Sequence, residues 1–150
     1  FILTCPSRTA LLETITSRAC SFLLSQEEDF KTDETAGAEA LAIAAKLANA
    51  LCCGNEFDFL KETSVFMKDK ELFKAVLPFL VYIFRDALVE KEPLTSCTEQ
   101  AQKLRQSFTQ KKLIALIEET EGLIDCVQRS ANHNLTVTRL CSVFHRVKNS

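Results

Sequence analysis

Glycine and proline are scarce in this chain, which has three of each among 150 residues. β-Sandwiches and barrels require many tight turns, and tight turns depend on these two residues. Their scarcity therefore favours a small number of long elements. A chain of this length is about one domain with one hydrophobic core. We predict an all-α fold, a single domain over residues 1–150 built as a compact bundle of six to seven helices.

Apolar residues recur along most of the chain at the spacing of one helical face. Residues 26–35 are an exception, because they carry five acidic side chains and no periodicity. We expect an acidic linker there. The Asn-His-Asn segment at 132–134 should break the chain before the last helix, since Asn tolerates turns and caps. The periodicity predicts helices over about residues 6–25, 36–53, 56–67, 69–91, 97–108, 109–131 and 135–147.

The helix predicted over residues 69–91 has the most apolar sequence. Residues 76–84 are apolar on every side, and such a helix is usually buried at the centre of a domain. Asp69 stands at its start, where an Asp side chain caps a helix well. Pro78 should kink this helix or begin a new segment, because proline lacks the amide hydrogen and clashes one turn back.

The net charge of the chain and the length of its apolar runs argue against two classes of partner. Its net charge of −2 lacks the basic excess of a dedicated nucleic-acid binder. The longest apolar run, Ala75 to Phe84, is too short as a helix to cross a bilayer core of roughly 30 Å. We therefore expect neither direct DNA binding nor a membrane span. The chain begins at Phe1 and its only methionine is Met67, so we expect it to be a fragment of a longer protein.

Seven cysteines are an unusual number for this composition. The count is odd and no C-x-x-C pair occurs, so neither a disulfide framework nor a zinc ribbon fits. Several of the cysteines fall on apolar helical stripes, where a free cysteine acts as a small hydrophobe. Unpaired cysteines in this number are typical of a protein in the reducing cytoplasm.

Recognisable motifs for catalysis are missing from the sequence. Neither a G-x-x-x-x-G-K-[ST] loop nor a G-x-G-x-x-G loop is present, and glycine occurs only at positions 37, 54 and 122. A glycine-rich cradle for a phosphate group therefore cannot be built from these residues. We predict no catalytic residue, no cofactor and no metal in this chain.

Cys141 and His145 are the one pair for which chemistry can be argued. They lie four residues apart on a predicted helix, where they could share a metal ion or act as nucleophile and base. Two ligands make a poor metal site, and His145 falls on the polar side of its helix. We expect a structural cysteine beside a solvated histidine. The alternative is a small helical enzyme, which would show a hyper-reactive thiol.

Arg85 and Asp86 directly follow the nine apolar residues of the most buried helix. Charges in such a place must be paired or hydrogen-bonded. They would either tie neighbouring helices together or reach a partner subunit, and we favour the internal structural role.

Four features of the sequence, in order, match a known family. An Ala/Leu-rich helix at 40–51 precedes an Asp-Lys-Glu-Leu helix start at 69–72. Leu-Val-Tyr-Ile-Phe-Arg-Asp-Ala-Leu follows at 80–88, and Asn-His-Asn-Leu at 132–135 leads into a final apolar helix. This order resembles the C-terminal domain of the delta-prime subunit of bacterial DNA polymerase III, a clamp-loader component. The resemblance covers residues 36–147.

The resemblance implies a collar domain, which holds a clamp-loader subunit in the five-membered ring that loads the sliding clamp onto primed DNA. The implied partners are the gamma/tau and delta subunits, bound through their C-terminal domains. The chain would contact DNA only indirectly, through the assembled complex. The chain itself would not be an enzyme, although the full-length protein would be part of DNA polymerase III, a DNA-directed DNA polymerase of the bacterial cytoplasm.

The matching motifs contribute five positions whose role would be structural or at a subunit interface: Arg85, Asp86, Asn132, Asn134 and Leu135. None of them is catalytic in the family that the sequence resembles. The alternative function is that of an unrelated all-α adaptor domain, matched only by composition.

Overall fold

The computed structural model describes residues 34–53, 56–89 and 93–149, together with Leu12 and Thr14. The chain divides into two compact units, Phe1–Lys31 and Thr32–Ser150, and the fold below is that of the second unit. No strand occurs in these ranges, which confirms the all-α prediction. The helices are α1 (Glu34–Cys53), α2 (Glu56–Thr63), a 3-10 turn (Ser64–Met67), α3 (Lys70–Leu88), α4 (Thr98–Ser107), α5 (Gln110–Gln128) and α6 (His133–Asn149).

Two predicted boundaries near the chain's acidic and Asn-rich segments are wrong. α1 begins at Glu34 rather than at residue 36, so the last two residues of the expected acidic linker are helical. An acidic side chain is favourable in the first turn of a helix because of the helix dipole. The rest of that linker and the helix predicted over residues 6–25 lie outside the described ranges, apart from Leu12 and Thr14.

The expected break before the last helix is present, but it covers residues 129–132 rather than 132–134, because α5 ends at Gln128. α6 begins at His133, and the Asn132 side chain accepts a hydrogen bond from the amide of Leu135 at 3.2 Å. Asn is a preferred residue before the first helical turn because its side chain satisfies an unpaired amide there. Asn132 is therefore the last residue of the break and caps the last helix.

The central position of α3 follows from its apolar sequence. The side chain of Asp69 accepts a hydrogen bond from the Leu72 amide at 2.9 Å and caps the helix as predicted. α3 packs against α1, α4 and α5, and Phe73, Leu80 and Phe84 have no exposed surface. The helix continues through Pro78 to Leu88, so the proline does not begin a new segment. The helix stops three residues before its expected end near residue 91.

Two kinds of contact close the core around α3. α1 presents alanines 40, 44 and 48 together with Leu47 and Leu51 on its buried face, and small side chains let neighbouring helices approach closely. On the other side, the ring of Phe144 on α6 lies 5.7 Å from that of Phe84 and 5.6 Å from that of Phe59. Aromatic pairs at these distances add to the energy of burial.

We expect Phe84→Ala to lower the free energy of unfolding by about 3–5 kcal/mol, because it empties a buried aromatic site between α3 and α6. Phe57→Ala is the matched control, since the Phe57 side chain is 73% exposed and its loss should change stability by less than about 0.5 kcal/mol. Urea unfolding followed by circular dichroism measures both. Equal losses for the two variants would contradict this packing.

Candidate interaction surfaces

The carboxylate of Asp86 holds together the segment that follows α3. The residue is buried, with 5% of its surface exposed. Its Oδ1 atom accepts a hydrogen bond from the Leu94 amide at 2.9 Å. Its Oδ2 atom accepts two more from Thr95, from the amide at 2.9 Å and from the hydroxyl at 2.8 Å. A buried carboxylate is stable when its lone pairs are satisfied in this way.

Arg105 on α4 binds the same end of α3 from the other side. Its Nε donates to the carbonyl of Ala87 at 2.8 Å, and its Nη2 donates to the carbonyl of Asp86 at 3.3 Å. The last carbonyls of a helix have no partner within the helix, so the guanidinium supplies it. Arg85 lies at the surface with its side chain 40% exposed, and its Nη1 is 3.5 Å from Oδ1 of Asp86. The Asp86 side chain therefore points into the protein, and the Arg85 side chain lies at the surface.

The start of α4 has no side-chain cap. Cys97 occupies the N-cap position without a side-chain hydrogen bond, and neither Ser96 nor Thr98 caps the helix. Instead, the hydroxyl of Thr95 accepts a hydrogen bond from the Cys97 amide at 3.3 Å. Because the Thr95 hydroxyl also donates to Asp86, the carboxylate fixes the entry of the chain into α4.

Burial raises the pKa of the Cys97 thiol. The hydrogen bond with Thr95 offsets part of the rise, and the negative charge of Asp86 adds to it. The thiol is therefore held protonated in the folded chain at pH values where an exposed thiol begins to ionise.

We expect Asp86→Asn to lower the free energy of unfolding by about 3 kcal/mol, because the amide has one acceptor oxygen where the carboxylate accepts hydrogen bonds from three donors. Asp125→Asn makes the same change at an exposed position of α5 and should alter stability by less than about 0.5 kcal/mol. Urea titrations at pH 7 measure both. A loss at Asp86 no larger than that at Asp125 would contradict the role of the carboxylate.

The Cys97 thiol should make stability depend on pH in the alkaline range. The unfolded chain releases this proton at the ordinary cysteine pKa of about 8.5, whereas the folded chain retains it to higher pH. The free energy of unfolding should therefore fall as pH rises above that value. Urea titrations from pH 7.5 to 10.5 under reducing conditions should show a steeper fall for the unaltered chain than for Cys97→Ala. Parallel pH profiles would rule the effect out.

The second group of motif positions lies at the start of α6. Asn132 caps the helix, and the carbonyl of Asn134 accepts a hydrogen bond from the Thr138 hydroxyl at 2.9 Å. Leu135 points outward, with 69% of its surface exposed. This end of α6 adjoins Phe73, which precedes Asp86 by thirteen residues on α3, or roughly 20 Å of helix. The structure therefore does not bring the two groups of motif positions together.

His133 is a structural residue that the sequence analysis did not identify. Its Nε2 is within hydrogen-bond distance of the carbonyl of Phe66 in the 3-10 turn. Its ring meets that of Phe73 nearly edge-on, with 5.6 Å between centroids. The residue thus joins α6, the 3-10 turn and α3. A lone histidine beside two asparagines carries no pattern that could have indicated this contact.

The exposed large hydrophobic side chains of the described residues fall mainly into two sets. We call the first set patch A; it lies on α2, the 3-10 turn and the start of α6. We call the second set patch B; it follows the last turn of α3. Patch A consists of Phe57, Leu60, Val65, Met67 and Leu135, and patch B of Val89 and Leu94; all are between 42% and 73% exposed.

A groove of about 600 Å³ lies between α2 and α6, next to patch A. Leu51, Phe59 and Phe144 form part of its apolar wall, and Leu60 and Ser142 also line it. The two helices run antiparallel, since His133 adjoins the 3-10 turn that follows α2 whereas His145 reaches Glu56 at its start.

Cys141 and His145 both line this groove. The Cys141 thiol is 3.3 Å from the Thr63 hydroxyl. Nδ1 of His145 is 3.4 Å from Oε1 of Glu56, and the Asn149 amide nitrogen is 3.0 Å from Nε2. The described cysteines at positions 52, 97, 126 and 141 are not in disulfide bonds. Within the described residues, no three His, Cys, Asp or Glu side chains are grouped as a metal ion would require.

No described helix combines the length and apolar character needed to cross a membrane. Comparisons with models of known protein families, with curated proteins and with solved structures find no match to this chain.

Proposed function

We propose that the chain is an oligomerisation domain of the clamp-loader collar type, which holds a replication subunit beside two neighbours. The observation that carries the proposal is the separation of two exposed apolar sites: Met67 and Leu135 of patch A lie beside the start of α3, and patch B follows its end. That helix has 19 residues, so its ends are roughly 28 Å apart. Contiguous exposed apolar side chains are typical of protein–protein contacts.

Two separate patches suit a position in a ring. A subunit of a ring built by head-to-tail contacts uses one surface for the preceding neighbour and a different surface for the next. A single patch would serve a two-fold dimer equally well. The gamma/tau and delta subunits implied by the sequence resemblance are the proposed neighbours, in the bacterial cytoplasm.

The hydrogen bonds of the motif positions support the same role. Asp86 and Arg105 hold patch B's Leu94 to the end of α3, and Asn132 orients the turn that carries Leu135. Surfaces held in one geometry lose less conformational freedom on binding. The motif positions would therefore act by positioning the patches rather than by touching a substrate.

We expect the chain to co-elute with the C-terminal regions of delta and of gamma/tau from the same organism at tens of micromolar, without ATPase activity of its own. Leu135→Asp in patch A and Val89→Asp in patch B should each abolish association with one partner and leave the other. A buried carboxylate without a partner is strongly unfavourable in an apolar interface.

Ile114→Asp is the control for this experiment, because Ile114 is 47% exposed but belongs to neither patch. It should bind both partners, and circular dichroism should show that all three variants are folded. Elution of the unaltered chain away from both partners would refute the collar assignment. An adaptor of another system would then be the remaining function.

A further inference from the structure

Patch A contains a stripe of exposed side chains at helical spacing. Phe57, Leu60, Ser64 and Met67 follow one another at intervals of three, four and three residues along α2 and the 3-10 turn. These intervals keep side chains on one face of a helix, and a 3-10 turn aligns residues three apart. Phe57 is 73% exposed, Leu60 46% and Met67 47%. The stripe therefore has a large apolar side chain at each end and a small polar one, Ser64, between Leu60 and Met67.

Charged side chains of both signs run along one edge of this stripe. In order along the chain they are Asp58, Lys61, Glu62 and Lys68; Glu62 is half-buried and the other three are exposed. Lys68 follows Asp58 by ten residues, or roughly 15 Å of helix. The edge therefore begins with a carboxylate at one end of the stripe and finishes with an ammonium group at the other.

We propose that patch A binds a second copy of this chain, with the two stripes antiparallel about a two-fold axis. In a two-fold pair, a residue i that contacts residue j of the other copy is matched by a second contact of j with i. An axis through the middle of the stripe places Phe57 of each copy against Met67 of the other. The same axis places Leu60 of each copy near Ser64 of the other, so that large side chains lie beside the small one.

The charged edge is complementary to itself in this arrangement. When two antiparallel helices face one another about a two-fold axis, the same edge of each copy lies on the same side of the contact. Asp58 of each copy then lies beside Lys68 of the other, and Lys61 of each copy lies beside Glu62 of the other. Opposite charges at the rim of an interface fix its register and direction. The order of charges along the edge therefore favours a second copy in the antiparallel direction.

A parallel pair of the same stripes would not bring these charges together. A two-fold axis along the stripe sets Phe57 against Phe57 and Met67 against Met67. Asp58 of one copy and Lys68 of the other would then lie at opposite ends of the contact, and they would be too far apart to pair. The two directions therefore differ in whether residues 58 and 68 meet.

The pair is expected to be weak, because a single helical face forms a small interface and small interfaces are typical of transient complexes. We expect a dissociation constant of about 100 µM. The inference does not rest on the collar assignment. A neighbour bound at patch A would displace the second copy, because both would cover the same side chains.

Two charge-reversed variants of the whole chain test the pair and its direction. Asp58→Lys sets two lysines against each other in its own dimer, and Lys68→Glu sets two carboxylates against each other. Each variant alone should therefore dimerise about tenfold more weakly than the unaltered chain. An equimolar mixture of the two variants should regain the affinity, because one copy then carries lysine and the other an acid at both ends of the contact. Sedimentation velocity from about 5 µM to about 500 µM measures all four samples.

Lys111→Glu is the matched control, since it reverses an exposed lysine at the start of α5, outside patch A. It should leave the dissociation constant of the dimer within about twofold of that of the unaltered chain. Phe57→Asp should abolish the dimer, because it places a carboxylate in the apolar contact. Circular dichroism should show that every variant is folded.

Four results would overturn the proposal. They are an unaltered chain that stays monomeric at the highest concentration, a mixture that dimerises no better than either variant alone, a dimer that survives Phe57→Asp, and an effect of Lys111→Glu as large as that of Lys68→Glu. The second of these would also be the result for a parallel pair.

Discussion

The hydrogen bonds accepted by Asp86 determine how the second half of this fold is connected to the first. α3 is the helix around which α1, α4 and α5 pack, and the chain leaves it at Val89 in an extended conformation. The buried carboxylate of Asp86 then accepts hydrogen bonds from the amides of Leu94 and Thr95. The Thr95 hydroxyl in turn accepts a hydrogen bond from the Cys97 amide at the start of α4. If the carboxylate of Asp86 is removed, these donors lose their acceptor. Both the turn and the start of α4 therefore depend on Asp86.

The same interaction explains why patch B has a defined position. Leu94 is exposed, yet its amide is bonded to a buried side chain of the central helix. The guanidinium of Arg105 binds the neighbouring carbonyls. The part of patch A formed by Met67 and Leu135 is held beside the start of α3 by different means, through the Asn132 cap and the contact of His133 with Phe66. The two exposed surfaces are thus attached to one rigid helix but are stabilised independently.

Much of this arrangement could be predicted from the pattern of apolar residues. The helices and the central place of α3 follow from the spacing of side chains and from the run at residues 76–84, since these are local properties. Asp86 could be expected to need partners because it follows that run. Its partners could not be named, because Leu94 and Thr95 come from a turn without periodicity. The last helix begins two residues before its predicted start, because Asn is favoured both in turns and at the N-cap, and the sequence alone does not distinguish these two roles.

Function is less visible in the sequence than the fold, since exposure is a property of the folded chain. Leu135 belongs to a matching motif, but only the structure shows that it is exposed and lies near the 3-10 turn that carries Met67. The clamp-loader resemblance stays a prediction from the sequence, and the exposed apolar sites at the two ends of α3 support the proposal drawn from it. Cys141 and His145, which carried the enzymatic alternative, line the groove beside patch A, where the thiol contacts Thr63 and the imidazole contacts Glu56.

Hydrogen exchange of the chain, alone and mixed with the C-terminal regions of delta and gamma/tau, tests most directly whether the two ends of α3 are binding surfaces. The account predicts that exchange slows in the mixture at residues 56–68 and 133–136, and also at residues 86–89 and 93–95. It predicts no change at residues 111–118 on α5. Unchanged exchange at both ends of α3, or slowing confined to α5, would contradict it.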